Sequence, residues 1–391
     1  MDVDKDFNFP GLPKIFFGPG ALNVLPGLIR ACGDRALVIT GGRSFAATGR
    51  WTILGRALHR TGLSYQAIAV QGEPTADAID AIVHEYRAVK VDGVAAIGGG
   101  SVIDCGKAVS AMLVQEGSVR DYLEGVGTRT PSGAKIPLIA VPTTAGTGSE
   151  ATRNAVVCNR KEGYKKSLRH EAYRPDIAIV DPTLTLSVPP PITASSGLDA
   201  VSQLIEAYTS TKTDPAIDRL ILKALTLARD SLLPLTDDQG KNLDLREKMS
   251  YAALVSGIAL DRNGLGVVHG LAGPLGGVCP VPHGVACGKL LFPTMTFVVQ
   301  KVLKDENRAA RRRFAEVGRI LSGKPSGDDT DGCKRFLDVL FQWSQWIKLP
   351  RLSGFGLTAP DMEAVLAMAD CKNSPAVLSV KEMKTILETI R

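Results

Sequence analysis

The segment GVAAIGGGSVIDCGKAVSAMLV, residues 93–114, passes from a short apolar run through three glycines into a helical pattern. Val94 to Ile97 form a run short and apolar enough to be a buried strand. Gly98, Gly99, Gly100 and Ser101 then make a turn without Cβ bulk. Its backbone N–H groups can approach a phosphate closely, and the N-terminus of the helix that follows adds partial positive charge. Ligands of open α/β sheets bind at this end of the strands. A tight turn with no ligand is the competing reading. The spacing misses the dinucleotide fingerprint GxGxxG. It also misses the P-loop, since five residues rather than four precede Gly106-Lys107, and Ala108 stands where Ser or Thr would hold magnesium, so a nucleotide triphosphatase is disfavoured.

Working outward, RALVIT (35–40), SYQAIAV (64–70), IPLIAVPTT (136–144) and PDIAIVD (175–181) read as further strands. Residues 52–62 and 75–89 read as helices. Strands separated by helices imply right-handed crossovers and a mainly parallel sheet. The pattern changes at VPPPIT (188–193), because three consecutive prolines continue neither a helix nor a central strand. Beyond it the apolar spacing is almost wholly helical. The expected architecture is an N-terminal Rossmann-like α/β domain over 1–190 and a C-terminal all-α domain over 191–391, with the site in the cleft between.

Two further turns follow strands. PTTAGTGSE (142–150) brings Thr143, Thr144, Thr147 and Ser149 to a place where hydroxyls and bare backbone could line a cofactor or substrate. After RALVIT come Gly41, Gly42, Arg43 and Ser44. An acidic side chain would often hold a free ribose 2′-OH there, and none is present. Arg43 and Ser44 could accept a 2′-phosphate instead, which leans toward NADP over NAD.

The composition excludes several classes. A chain of 391 residues that is 45% hydrophobic can bury a substantial core, and its net charge of +6 is spread out. The densest basic run, RAARRRF (308–314), reads as a solvated helix face rather than a nucleic-acid surface. Seven cysteines at 32, 105, 158, 279, 287, 333 and 371 form no CxxC pair, which fits reduced thiols in a cytoplasmic protein. No apolar run reaches the roughly 18 residues of a membrane span.

Only five histidines occur, and two of them, His269 and His283, lie in VVHGLAGPLGGVCPVPHG (267–284). This stretch reads as a proline- and glycine-broken loop. In GLDAVSQLIEAY (197–208), Asp199 and Gln203 are four apart and share a helix face. If that face meets the histidines, two imidazoles, a carboxylate and an amide oxygen converge. On spacing alone, Cys279, His283 and Cys287 form a competing zinc set, disfavoured by prolines 280 and 282.

KIFFGPGAL, GGGSVIDCGKA, PTTAGTGSEAT, IVDPTLTLSVPP, GLDAVSQLIEAY and VVHGLAGPLGG…PHG, in this order, resemble the iron-containing (group III) alcohol dehydrogenase family along nearly the whole chain. The resemblance implies hydride transfer between NAD or NADP and a small alcohol or aldehyde, assisted by Fe(2+) or Zn(2+). It also makes a homo-oligomer, a dimer or larger, the expected state. Carried over by position, Asp199, His269 and His283 match three metal ligands and act at the catalytic centre. Gln203 stands where the family has a fourth ligand, a histidine, and Gly273 stands where many relatives carry a proton-relay histidine. Asp104 matches a family aspartate near the nicotinamide end, Lys165 a lysine that contacts the cofactor, and Asn154 a polar group facing substrate. Arg153 could recognise an anionic substrate or form a surface ion pair. No general base is named. A metal-independent reductase of the maleylacetate reductase type and a cofactor-binding protein without turnover remain the alternatives.

Overall fold

Apolar runs flanked by glycine turns do form the sheet. The computed structural model describes residues 9–42, 44–237 and 240–391. Arg43 lies outside the described residues, as does the side chain of Ser44. Among the described residues there are eight strands: β1 Lys14–Phe17, β2 Arg35–Gly41, β3 Ser64–Val70, β4 Gly93–Gly98, β5 Leu138–Pro142, β6 Asn154–Asn159, β7 Tyr164–Arg169 and β8 Ile177–Val180. Six of them make one sheet in the order β1-β8-β5-β4-β2-β3, and every pairing is parallel. The central strands β4 and β5 are buried along their whole length, which explains their unbroken apolar sequence. Helices α1 Leu25–Cys32, α2 Ser44–Ala47, α3 Arg50–Arg60, α4 Ala76–Tyr86 and α5 Gly100–Met112 accompany this sheet.

From Pro190 onward every element among the described residues is helical: α6 Pro190–Thr209, α7 Pro215–Thr236, α8 Leu243–Asn263, α9 Val267–Val278, α10 His283–Lys304, α11 Arg308–Ser322, α12 Asp329–Trp346, α13 Ala359–Met368 and α14 Val380–Ile390. Pro190 and Pro191 open α6, where a missing N–H costs nothing. No helix among the described residues is long and apolar enough to cross a membrane.

Two expectations change. The strand set misses β1 and the antiparallel pair β6–β7, which packs beside α5 rather than in the main sheet. The stretch with the two histidines is not a loop. It forms α9 with Pro274 inside it, then a four-residue link, then α10. Its glycines are places of close packing: a Cβ on Gly270 would lie 1.9 Å from the Asp370 carbonyl, and one on Gly277 would lie 2.9 Å from the Gly163 carbonyl. Tertiary contact overrides the poor helix propensity of this sequence.

The two halves meet just as closely. Gly148, at φ +60°, turns against α8, and a Cβ on Gly257 would fall 2.0 Å from its carbonyl oxygen. The turn after β5 is thereby fixed on the helical part.

Candidate active site

A cleft of about 580 Å³ opens where the C-terminal ends of β4 and β5 face α6, α8 and α9. That volume suits a small ligand or part of a larger one. Gly100, Ser101, Asp104, Thr147, Ser149, Asn154, Lys165, Gln203, His269, Gly273 and His283 all line it. Gly98 ends β4, and Gly99 caps α5 with no side-chain bond, leaving the first amides of the helix directed at the cleft. A Cβ on Gly100 would lie 2.5 Å from Thr147 Oγ1, so glycine is what lets the two turns close up.

A buried lysine ties these turns together. Lys107 is 1% exposed, and its Nζ donates to Ser149 Oγ at 2.7 Å, Thr152 Oγ1 at 2.8 Å and the Asn154 carbonyl at 2.8 Å. Asp104 accepts from Ser149 Oγ and, at 3.1 Å, from the Val156 amide, and lies 3.4 Å from Lys107 Nζ. Asp104 thus holds the hairpin and turn in place while its edge reaches the cleft. The Ser149 hydroxyl is consumed in this network.

At the cleft floor, Asp199, His269, His283 and Cys287 converge with donor atoms all within 4.8 Å of one another. Asp199 Oδ1 lies 3.2 Å from His269 Nε2 and 3.8 Å from His283 Nε2, and Cys287 Sγ lies 3.5 Å and 3.6 Å from the same two nitrogens. Zinc bond lengths put tetrahedral donors about 3.3 Å apart for N and O and about 3.5 Å for N and S. The four groups fit a divalent cation. On its other side, His269 Nδ1 meets Glu206 Oε2 at 2.7 Å. Asp199 and Glu206 are 1% and 2% exposed, so two carboxylates flank one imidazole away from water.

The titration of the cluster follows this crowding. Burial opposes charging of His269, but Cys287, Asp199 and Glu206 together hold its pKa well above the usual imidazole value. Burial likewise opposes ionisation of Asp199, and His283 and His269 outweigh it, keeping the carboxyl below its usual value. Burial drives His283 down to about 4, against the pull of Asp199, and pushes the Cys287 thiol up to about 12. The raised pKa favours a proton on His269 beside the Asp199 carboxylate. A divalent cation would serve the same charge.

Residues 13–182 match the family described as iron-containing alcohol dehydrogenase, and residues 193–391 match the C-terminal part of the same family. The chain belongs to the iron-containing alcohol dehydrogenase family. The long-chain-alcohol dehydrogenase 1 of Geobacillus thermodenitrificans is 32% identical over 91% of this chain and 88% of its own. The crystal structure of a 1,3-propanediol oxidoreductase superposes with a TM-score of 0.86 at 28% identity, covering 97% of this chain and 98% of that one. A sulfoacetaldehyde reductase from Bifidobacterium kashiwanohense, solved in complex with NAD+, superposes at 0.82 with 27% identity over 100% and 99%. The fold is that of the family, and the protein is an oxidoreductase acting on CH–OH groups.

Against the family's positions, Gln203 lines the cleft beside Asp199, but its Oε1 accepts from Ser256 Oγ at 3.0 Å, and Nε2 is the end nearer Asp199, at 3.5 Å. Rotating the amide would set two oxygens against each other. Cys287 stands in the cluster instead, one turn beyond His283 on α10. Cys279, the other half of the competing set, donates to the Phe355 carbonyl at 3.2 Å, so that set is split. Lys165 reaches the cleft while paired with Glu73. Asn154 lies within 3.4 Å of Ser167 Oγ. Arg153 pairs with Glu171 and, at 3.3 Å, with Asp261, and is not among the cleft-lining residues. Gly41 ends β2 and Gly42 follows it, and Thr143 and Thr144 follow β5. These four border the turns without lining the cleft. Sequence reasoning missed Lys107 and Glu206 as parts of the site, and named Cys287 only in the disfavoured set with Cys279. Glu206 was within reach, since it falls seven residues after Asp199 on the same face of α6.

Proposed function

We propose that the protein interconverts a small alcohol and its aldehyde or ketone with a nicotinamide cofactor, NAD or NADP, assisted by a divalent metal. The observation that carries this reading is the shared cleft: the glycine turn opens onto it through Gly100 and Ser101, and the Asp199–His269–His283–Cys287 cluster through its two histidines. Support for the cofactor comes from the α5 N-terminus, whose uncapped amides and partial positive charge suit a diphosphate. Gly98, Gly99, Gly100 and Ser101 would hold that diphosphate. Thr147 and Asp104 would border the nicotinamide end, and Lys165 the rim. Asp199, His269 and His283 would hold the metal, which when bound polarises the substrate oxygen. Glu206 fixes the tautomer of His269 by accepting a hydrogen bond from its Nδ1–H, so that Nε2 faces the cluster with its lone pair. The α/β part, 1–190, supplies cofactor contacts, and the helical part, 191–391, supplies metal and substrate contacts.

Seven cysteines unpaired among the described residues support a cytoplasmic setting, and the reading includes a homo-oligomer, tested by light scattering. The deciding experiment follows cofactor oxidation across a panel of short aldehydes, with and without chelator, beside metal analysis of the purified protein. The expected result is turnover that falls with metal removal and returns on reloading. Activity that survives complete metal removal overturns the metal-assisted reading.

A further inference from the structure

The family's fourth ligand position is occupied here by Gln203, whose amide oxygen is already engaged by Ser256. The cluster nevertheless has four donors. We infer that Cys287 Sγ is a metal ligand, joining Asp199, His269 and His283 in a four-donor set that shifts the metal preference toward zinc over iron and leaves the substrate oxygen to enter as a fifth donor.

Three observations carry this. His283 and Cys287 are four residues apart near the start of α10, so both side chains project from one face of the helix. Cys287 Sγ lies 3.5 Å and 3.6 Å from the two Nε2 atoms, which is the N–S edge of a tetrahedral zinc centre, about 3.5 Å. Cys287 is also fully buried, and its sulfur faces the two imidazoles and Asp199 rather than a carbonyl, unlike Cys279. Sulfur enters from α10, across the site from the α6 face that bears Gln203. The chain thus keeps the number of donors while changing one from imidazole to thiolate.

The exchange alters charge and softness. Asp199 and a Cys287 thiolate together neutralise a divalent cation, whereas a histidine in place of the thiolate would leave one positive charge. Thiolate is a soft donor that suits zinc, and tetrahedral N/S sets favour zinc over iron. On binding, the thiol gives up one proton to solvent and its sulfur lone pair forms the metal bond.

This inference rests on the metal-assisted reading above, and the test separates the two. Metal-free protein is titrated with Co(2+), and zinc and ferrous affinities are measured by chelator competition, for the native chain, Cys287→Ala and the volume-conserving Cys287→Ser. The expected result is a near-ultraviolet thiolate-to-cobalt charge-transfer band in the native chain alone. Zinc affinity should fall about 100-fold in both variants, with the ratio of zinc to ferrous affinity falling too. Cobalt binding without that band, or a Cys287→Ala affinity equal to the native one, overturns the role of Cys287 and leaves Asp199, His269 and His283 as the site. No binding of any of the three metals overturns both readings. Circular dichroism of each metal-free variant separates lost ligation from lost folding.

Discussion

His269 Nδ1 and Glu206 Oε2 are 2.7 Å apart, and both groups are buried. The same carboxylate accepts the Val268 amide at 2.6 Å and lies 3.4 Å from the His269 amide, so it caps α9 while it orients the ring. Carboxylate partners of this kind typically contribute 10- to 100-fold in metal affinity. Glu206→Gln retains an oxygen for the amides but not the charge. Zinc affinity by chelator competition should therefore fall about tenfold in Glu206→Gln. An unchanged affinity in a folded variant would mean that the ring is held by packing alone.

Lys107 bridges the turn after β5 to the hairpin through three short bonds, all from an ammonium with no exposed face. Burial lowers its pKa, against the pull of Asp104, Glu150 and Asp261. Lys107→Met should destabilise the protein by about 3 kcal/mol, because Asp104 and two hydroxyls lose a buried partner. Denaturant unfolding reads the loss. The same variant should raise the cofactor KM more than it lowers kcat, since the turn carrying Thr147 loses its anchor. Equal stability would indicate that water replaces the ammonium fully.

The sheet was legible because its strands are short apolar runs stopped by glycine, and the 188–193 prolines marked where helices take over. The site was legible only in part. Asp199, His269 and His283 stand at recognisable positions, but the helix that presents His269 was hidden, since Gly270, Pro274 and Gly277 argue locally against it. The two glycines are required because Asp370 and Gly163 approach those bare positions. Lys107 lies in the helical stretch after the glycine turn, and its burial depends on residues 149–154, which no local pattern reports. Cys287 could be paired with His283 by spacing, but only the fold separates it from Cys279.

Glu150 gives a pH signature of stability. Burial raises its carboxyl from 4.5 to about 7, with Lys107 opposing the rise. A folded pKa above the unfolded one means that the folded state binds the proton more tightly. This stabilisation is full below about pH 4.5 and is lost as pH rises through about 7. The difference corresponds to about 3 kcal/mol. Unfolding free energies at pH 5 and pH 8 should therefore fall more in the native chain than in Glu150→Gln, by about 2–3 kcal/mol. Parallel pH dependences in the two proteins would rule out a buried neutral Glu150.

Gly273 lines the cleft one helical turn after His269, and a Cβ there meets nothing within 4 Å. Space for a side chain exists where many relatives carry a relay histidine. Pro274 follows it inside α9, and a Cβ before proline clashes with the ring when the backbone is helical. Gly273→His should gain a few tenths of a kcal/mol in helix propensity and lose a similar amount to that clash, leaving stability within about 1 kcal/mol of the native chain. Combining it with Pro274→Ala removes the clash. An added imidazole titrates near its ordinary pKa of about 6.5 and can carry the alcohol proton to solvent when neutral. In the oxidation direction the double variant should show a kcat that rises with pH through about 6.5 and exceeds the Pro274→Ala value up to about 100-fold above it. A pH profile identical to that of Pro274→Ala would place proton transfer outside the steps that limit turnover.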